Sequence, residues 1–282
     1  MLTATVLQIQ HHRRSKIICD AMANGIRHMG DKVIRHYEGG YRAPDSQVVC
    51  YYGHEGRNIQ AAKDYQSAGG KAVYCDLGWF GRRYGGRWTG YHKVVVNSRH
   101  PNAYFQRRSY PVNRARFLNV QVKPWKRAGR FILLAGMSDR CAMSLGYKPN
   151  QWEREAIDAL QKVTDRPIVY RPKPSWKGAT PLAGTTYSVR PEEAEHLYPD
   201  CWAVVTHHSN VAVEGLVEGI PAFCWDGVAV PMASQDITQI ENPIYPDGRE
   251  QWISNICWQQ WSVEEIRQGL AWKHLKDEGL IP

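Results

Sequence analysis

Five consecutive polar side chains, Thr206, His207, His208, Ser209 and Asn210, follow the apolar run Trp202-Ala203-Val204-Val205, and Glu214 comes one helical turn later. Hydroxyl, amide and imidazole groups at that density suit an anion, since a helix starting at such a turn adds N–H groups with no intrahelical acceptor. A carboxylate one turn further in can accept hydrogen bonds from a sugar diol. Phosphate beside His208, Ser209 and Asn210, with ribose at Glu214, fits a nucleotide diphosphate lying across a helix start. The plainer alternative is that Ser209 or Asn210 only caps the helix. A second polar cluster is YRPKPSWKG, in which Arg171, Lys173 and Lys177 follow another short apolar run. Arg171 can grip phosphate with a two-pronged fork and Lys173 adds a point charge, unless both are merely solvated.

The first half of the chain offers different chemistry. Asp76 closes the run VYCD, and a carboxylate at a strand end can take the proton of an acceptor hydroxyl, or cap a turn. Cations gather after the same runs: Arg13, Arg14 and Lys16 after the first, Arg82, Arg83 and Arg87 after Asp76, Arg107 and Arg108 further on. Trp79, Phe80, Tyr84 and Trp88 are interleaved with the middle group. Cations with aromatic neighbours suit nucleic acid, because the cations hold phosphates and a ring can stack on a displaced base. The same loop could pack on itself as a lid.

Charge separates the halves. Residues 1–130 hold 23 Lys/Arg and 7 Asp/Glu, while residues 131–282 hold 13 and 20, giving +9 overall. A cationic first half argues for a polyanionic partner there, since clustered cations release counterions from phosphates. The alternative is a generally basic surface. With 282 residues, 43% hydrophobic content, 11 Trp and 15 Tyr, the chain suits two packed domains rather than a disordered one. No run reaches the ~18 apolar residues of a membrane span, so a soluble protein is expected. Seven scattered cysteines without a CxxC pair, and eleven histidines without ligand spacing, offer no metal or disulfide framework.

Hydrophobic patterning places these residues. Strands are expected at 3–9, 32–37, 47–52, 71–75 and 91–97, with helices at 15–28 and 59–67 between them and a short one at 101–106. The Arg-, Lys- and Pro-rich stretch 107–130 reads as a connection. The pattern restarts with FILLAGM at 131, then a helix at 151–164 and strands at 167–171, 203–206 and 222–225. Two Trp-rich helices, 249–260 and 263–275, close the chain, their tryptophans serving packing. Strands alternating with helices imply parallel sheets with crossovers.

The steps Asn210, Glu214, Gly219 and Pro221 resemble the donor-site signature of nucleotide-sugar glycosyltransferases of the two-Rossmann, or GT-B, fold. His208 and Ser209 stand where that signature usually has Gly-Gly or Cys-Gly. The resemblance implies two doubly wound Rossmann-like α/β domains facing a cleft. Residues 1–125 would form a basic acceptor-binding domain and 126–282 the donor domain, with the last helices able to return to the first. It also implies a UDP-linked nucleotide-sugar donor, no cofactor, metal-independent transfer, Asp236 as a sugar contact and His11 or His12 as an alternative base. Along most of its length the chain is similar to a group of proteins encoded by tailed bacteriophages, through DLGWFGR, GYHKVVVNSRHP, RPKPSW and the closing QWISNICWQQWSVEEIRQGLAW. That likeness implies a host-cytoplasmic enzyme glycosylating hydroxymethylated pyrimidines in duplex DNA. The rivals are a glycan-directed transferase, a sugar-nucleotide epimerase of the same fold, and a non-catalytic nucleotide- or nucleic-acid-binding protein.

Overall fold

In a computed structural model the chain is described at all residues except 54–55, 88, 106–107, 175 and 189–193. The strands are β1 (Thr3–Gln8), β2 (Lys32–Tyr37), β3 (Val48–Tyr52), β4 (Lys71–Leu77), β5 (Tyr91–Val96), β6 (Phe131–Ala135), β7 (Ile168–Arg171), β8 (Thr186–Tyr187), β9 (Cys201–Thr206), β10 (Ala222–Cys224) and β11 (Gln260–Ser262). The helices are α1 (Arg13–His28), α2 (Arg57–Ser67), α3 (Asn102–Phe105), α4 (Asn113–Phe117), α5 (Asp139–Ser144), α6 (Gln151–Leu160), α7 (Val211–Val217), α8 (Arg249–Cys257), α9 (Val263–Arg267) and α10 (Leu270–Asp277). They form two compact units, Met1–Leu118 with Ser254–Pro282, and Asn119–Ile253, so one boundary falls inside α8.

The first unit is a six-stranded sheet in the order β11-β5-β4-β3-β1-β2. Its central strands are buried on both faces, while the edge strand β2 is partly exposed, and strand alternation sorts the core. Val48, Cys50 and Tyr52 join Ile18 and Met22 of α1 on one side, while Val49 and Tyr51 join Ala61 and Tyr65 of α2 on the other. β1 to β4 are parallel, as the βα alternation requires, but β5 runs antiparallel to β4. Among the described residues no helix joins that pair. The connecting loop turns at Gly85 and Gly86, both at positive φ, with Tyr84 and Arg87 exchanging backbone hydrogen bonds across them.

The closing segment belongs to the first unit by its contacts. β11 pairs antiparallel with β5, and α9 packs on α1 where Gly25 has no Cβ: one would lie 2.1 Å from the Ile266 carbonyl oxygen. Asp31 receives the Trp272 indole N–H at 2.8 Å and the Lys276 ammonium at 2.9 Å, anchoring α10. Arg114, expected in a loose connection, is instead an interior clamp. It is bidentate to Glu265, bonds the Cys257 and Gln260 carbonyls, and lies 4.1 Å over the Trp261 ring.

The second unit is an all-parallel five-stranded sheet, β10-β9-β6-β7-β8. Ile132 and Leu134 face a cluster with Trp152, Ile157 and Leu160 of α6, whereas Leu133 and Ala135 face Val211 of α7 and Ile220. Each sheet is thus covered by helices on both faces, the doubly wound arrangement.

Candidate functional site

Because β6, β7 and β9 are parallel, their C-terminal ends deliver Ala135, Arg171 and Thr206 to one edge of the second sheet. The Thr206 hydroxyl donates to the Ala135 carbonyl (2.8 Å) and accepts the Ser209 N–H (3.2 Å), tying the β9–α7 turn to β6. The Glu214 carboxylate is oriented from two sides. Its Oε2 accepts the Tyr198 hydroxyl at 2.7 Å and its Oε1 accepts the Asn210 side-chain amide at 2.8 Å. Burial, then the Glu214 charge, pushes the Tyr198 phenol far up, so it stays a donor, while the Arg171 charge pulls the other way. The Arg171 guanidinium is buried, whereas Lys173 and Lys177 are exposed.

The remaining sequence candidates in this unit fall as follows. Ser209 is a cap: its Oγ accepts the Val211 N–H at 3.3 Å and its carbonyl the Ala212 N–H at 3.1 Å. The first turn of the seven-residue α7 therefore spends donors locally, and Asn210 turns to Glu214 instead of capping. His208 lies between Cys141 and His207, with Nε2 3.3 Å from the thiol and Nδ1 3.1 Å from His207 Nδ1. Asp236 is exposed and caps the turn Ile237–Gln239; its bonds from the Thr238 hydroxyl and N–H hold its carboxyl below the usual range.

One acid at this edge was not anticipated. Glu153 is 1% exposed, and its Oε1 accepts the Met137 N–H at 2.8 Å just past β6. Gly136 makes room for it, since a Cβ there would lie 3.2 Å from Glu153 Oε1 and 2.7 Å from the Tyr170 ring. Burial raises the Glu153 carboxyl above its ordinary value. The signal was in the helical spacing: Glu153 occupies a place in the buried stripe with Ala156, Ile157 and Leu160.

At the C-terminal edge of the first sheet, Asp76 accepts the Tyr74 hydroxyl at 2.5 Å and the Leu77 N–H at 2.8 Å. Lys93 is its cross-strand partner, with Nζ 5.0 Å from the Tyr74 ring centroid. Arg14 donates to the Tyr52 hydroxyl at 3.0 Å, and Tyr52 is pushed up by burial and by the Asp76 charge. Burial lowers His92 to about 4, so the imidazole is neutral, its Nδ1 3.0 Å from the Gly90 carbonyl. Asp76, Tyr52, Arg14 and His92 therefore act on one another here.

Two expectations are corrected by this geometry. His12 caps α1, its Nδ1 accepting the Ser15 N–H at 3.0 Å. A neutral imidazole with Nδ1 as acceptor carries its proton on Nε2, so His12 offers a donor outward and no basic nitrogen. Trp79 is 5% exposed, with the Lys93 ammonium 6.0 Å from its ring and Gln260 Oε1 accepting its backbone N–H, so it is not presented for stacking. Among the described residues of that loop the exposed ring is Tyr84, at 78%.

Among the cations, Arg13, Arg83 and Arg87 are exposed, and Arg82 is half-buried. Lys16 is exposed but paired with Asp20 at 2.7 Å, and Arg108 pairs with Glu278. Trp88 and Arg107 lie outside the described residues. Among the described residues, no group of three or more His, Cys, Asp or Glu is placed to hold a metal, and no helix is long and apolar enough to cross a membrane.

No protein-family model matches the sequence, and no curated protein matches it. The structure is similar to that of the Thermosulfurimonas dismutans KpsC beta Kdo 2,7 transferase, with a TM-score of 0.58 and 13% identity over 95% of this chain and 98% of that one. It is also similar to the KpsC beta Kdo 2,4 transferase of the same organism, with a TM-score of 0.53 and 12% identity over 89% of each chain. The fold is the two-Rossmann, GT-B-like fold of glycosyltransferases.

Proposed function

We propose that this protein is a glycosyltransferase that holds a nucleotide sugar, UDP-linked, at the strand edge of its second unit and transfers the sugar to hydroxymethylated pyrimidines of duplex DNA held by the first. The observation that carries the donor assignment is the Glu214 carboxylate, fixed by Tyr198 and Asn210 at the strand edge that also receives Arg171. A ribose diol would donate to the Glu214 carboxylate, and Arg171 and Lys173 would meet the diphosphate, with Ser209, Asn210 and His208 beside it and Asp236 near the sugar. In transfer, Asp76 takes the proton of the acceptor hydroxyl as its oxygen bonds the anomeric carbon. The sugar–phosphate bond breaks, and the diphosphate leaves with its charge met by Arg171. His12 serves as a hydrogen-bond donor through Nε2.

Support for a nucleic-acid acceptor is the charge of the first unit, 22 Lys/Arg against 11 Asp/Glu, compared with 14 and 16 in the second. Arg13, Arg83 and Arg87 are its exposed phosphate contacts, with Arg14, Lys16 and Arg82 beside them and Tyr84 as the ring available to a base. A second reading, transfer to a glycan, is favoured by the likeness to two Kdo transferases. Incubation with hydroxymethylated DNA, plain DNA or glycan acceptors and a panel of nucleotide sugars, followed by mass spectrometry, tests both. A hexosylated nucleoside only from hydroxymethylated DNA is expected; sugar on glycan alone would replace DNA as the acceptor, and donor intact under all conditions would remove the enzyme reading.

A further inference from the structure

The second unit contains a thiol and two imidazoles in sequence, and although His208 was placed beside the donor diphosphate, the proton chemistry of this chain has no part in sugar transfer. Cys141 is half-buried in α5, whereas the other six cysteines are buried. Its Sγ lies 3.3 Å from His208 Nε2, and His208 Nδ1 lies 3.1 Å from His207 Nδ1. The His207 ring is held edge-on against Tyr147 and Trp152, each at 5.7 Å between centroids.

Proton positions follow from these contacts. If the thiol donates to His208 Nε2, His208 carries its own proton on Nδ1 and donates it to His207 Nδ1. When the thiol proton crosses to Nε2, the imidazolium keeps one N–H on the sulfur and the other on His207, so both charges stay hydrogen-bonded. Nucleophile, base and orienting group in hydrogen-bond sequence are the arrangement that activates a thiol.

We propose that Cys141 is a reactive thiol, with His208 as its base and His207 as a positioning residue, and is the site at which this protein is modified by peroxides and soft alkylating electrophiles. With hydrogen peroxide, the thiolate sulfur attacks one oxygen and the O–O bond breaks. The departing hydroxide takes the His208 proton and leaves as water; the sulfur is oxidised to a sulfenic acid and the peroxide is reduced. With iodoacetamide, an S–C bond forms as the C–I bond breaks and iodide leaves. Neither step depends on the sugar-transfer reading.

The test is iodoacetamide labelling of the native protein at pH 7, with peptide mapping over time and glutathione as the reference thiol. A free thiol is only a few per cent thiolate at that pH, so an activated Cys141 should react on the order of tenfold faster than glutathione, ahead of the six buried cysteines. His208→Gln should lower the rate to that of glutathione or below, and His207→Asn, which leaves the base in place, should lower it partway. After peroxide, a dimedone adduct should map to Cys141. A native rate no faster than glutathione overturns the proposal without any variant, and so does a fast rate unchanged by His208→Gln in a folded protein.

Discussion

Both units end parallel strands in charged groups, yet the two edges are built by different means. At the first, Asp76 is held by an aromatic hydroxyl and sits opposite a buried lysine, with Tyr52 and a neutral His92 beside it. At the second, Glu214 is steered by Tyr198 and Asn210, and the imidazoles form a chain ending in a thiol. Charge differs as well, +11 in the first unit and −2 in the second. Part of the first unit's cationic excess is internal, because Arg114 and Lys93 are structural. Net charge therefore overstates the cationic surface of that unit.

Acid should separate the units most strongly. His92 and His274 of the first unit are lowered by burial to about 4, against ~6.5 in an unfolded chain. Below pH 6.5 the unfolded state binds protons that the folded state refuses, so their stabilisation is full above 6.5 and is lost as pH falls to 4, up to about 3 kcal/mol each. Glu153 of the second unit works in reverse: its raised carboxyl favours the folded state at low pH and loses that contribution as pH rises through the folded value. Hydrogen exchange at pH 7 and pH 5 should show protection falling in strands of the first sheet and not the second. Equal loss in both would break the contrast.

Asp76→Asn should reduce transfer by ~10²-fold or more while donor and DNA still bind, as expected for a lost base. Near-normal turnover would move the base elsewhere, and not to His12, whose outward nitrogen is protonated. Next in size, Glu214→Ala should weaken donor binding by ~1.5–3 kcal/mol by calorimetry, with DNA affinity unchanged. Smallest is the salt effect. Replacing Arg83 and Arg87 by Ala should flatten the slope of log DNA affinity against log salt by ~0.9 per lost phosphate contact, whereas Lys173→Ala should leave it alone.

Much of the fold was legible because it is written in periodicity. The strand run at 47–52 appears as Val48–Tyr52, the helix at 15–28 as Arg13–His28, and the strand at 167–171 as Ile168–Arg171. The antiparallel β5 was not legible, since direction is set by a helix-free connection rather than by the strand itself. β11 falls between the two expected closing helices, overlapping the first only at Gln260: Gln259 and Gln260 are buried by hydrogen bonding, which leaves no apolar pattern. The same end region breaks at Gly269, where φ is positive, so one expected helix becomes α9 and α10. At the site, residue types placed Asp76, Arg171 and Glu214 at strand and helix ends, but partners fixed their roles. Only coordinates reveal that His12 is a cap, that Trp79 is buried, and that Tyr198, just upstream of the Trp202 run, orients Glu214.

The most direct test of the central claim is hydrogen exchange of the intact protein with and without a saturating nucleotide sugar. The account predicts slowed exchange at Arg171 and across residues 206–216 of the second unit, reached in Glu214→Ala only at a ligand concentration at least about tenfold higher, with the first sheet unaffected. Protection confined to the first unit, or the same dependence of protection on ligand concentration in Glu214→Ala as in the native protein, would contradict it.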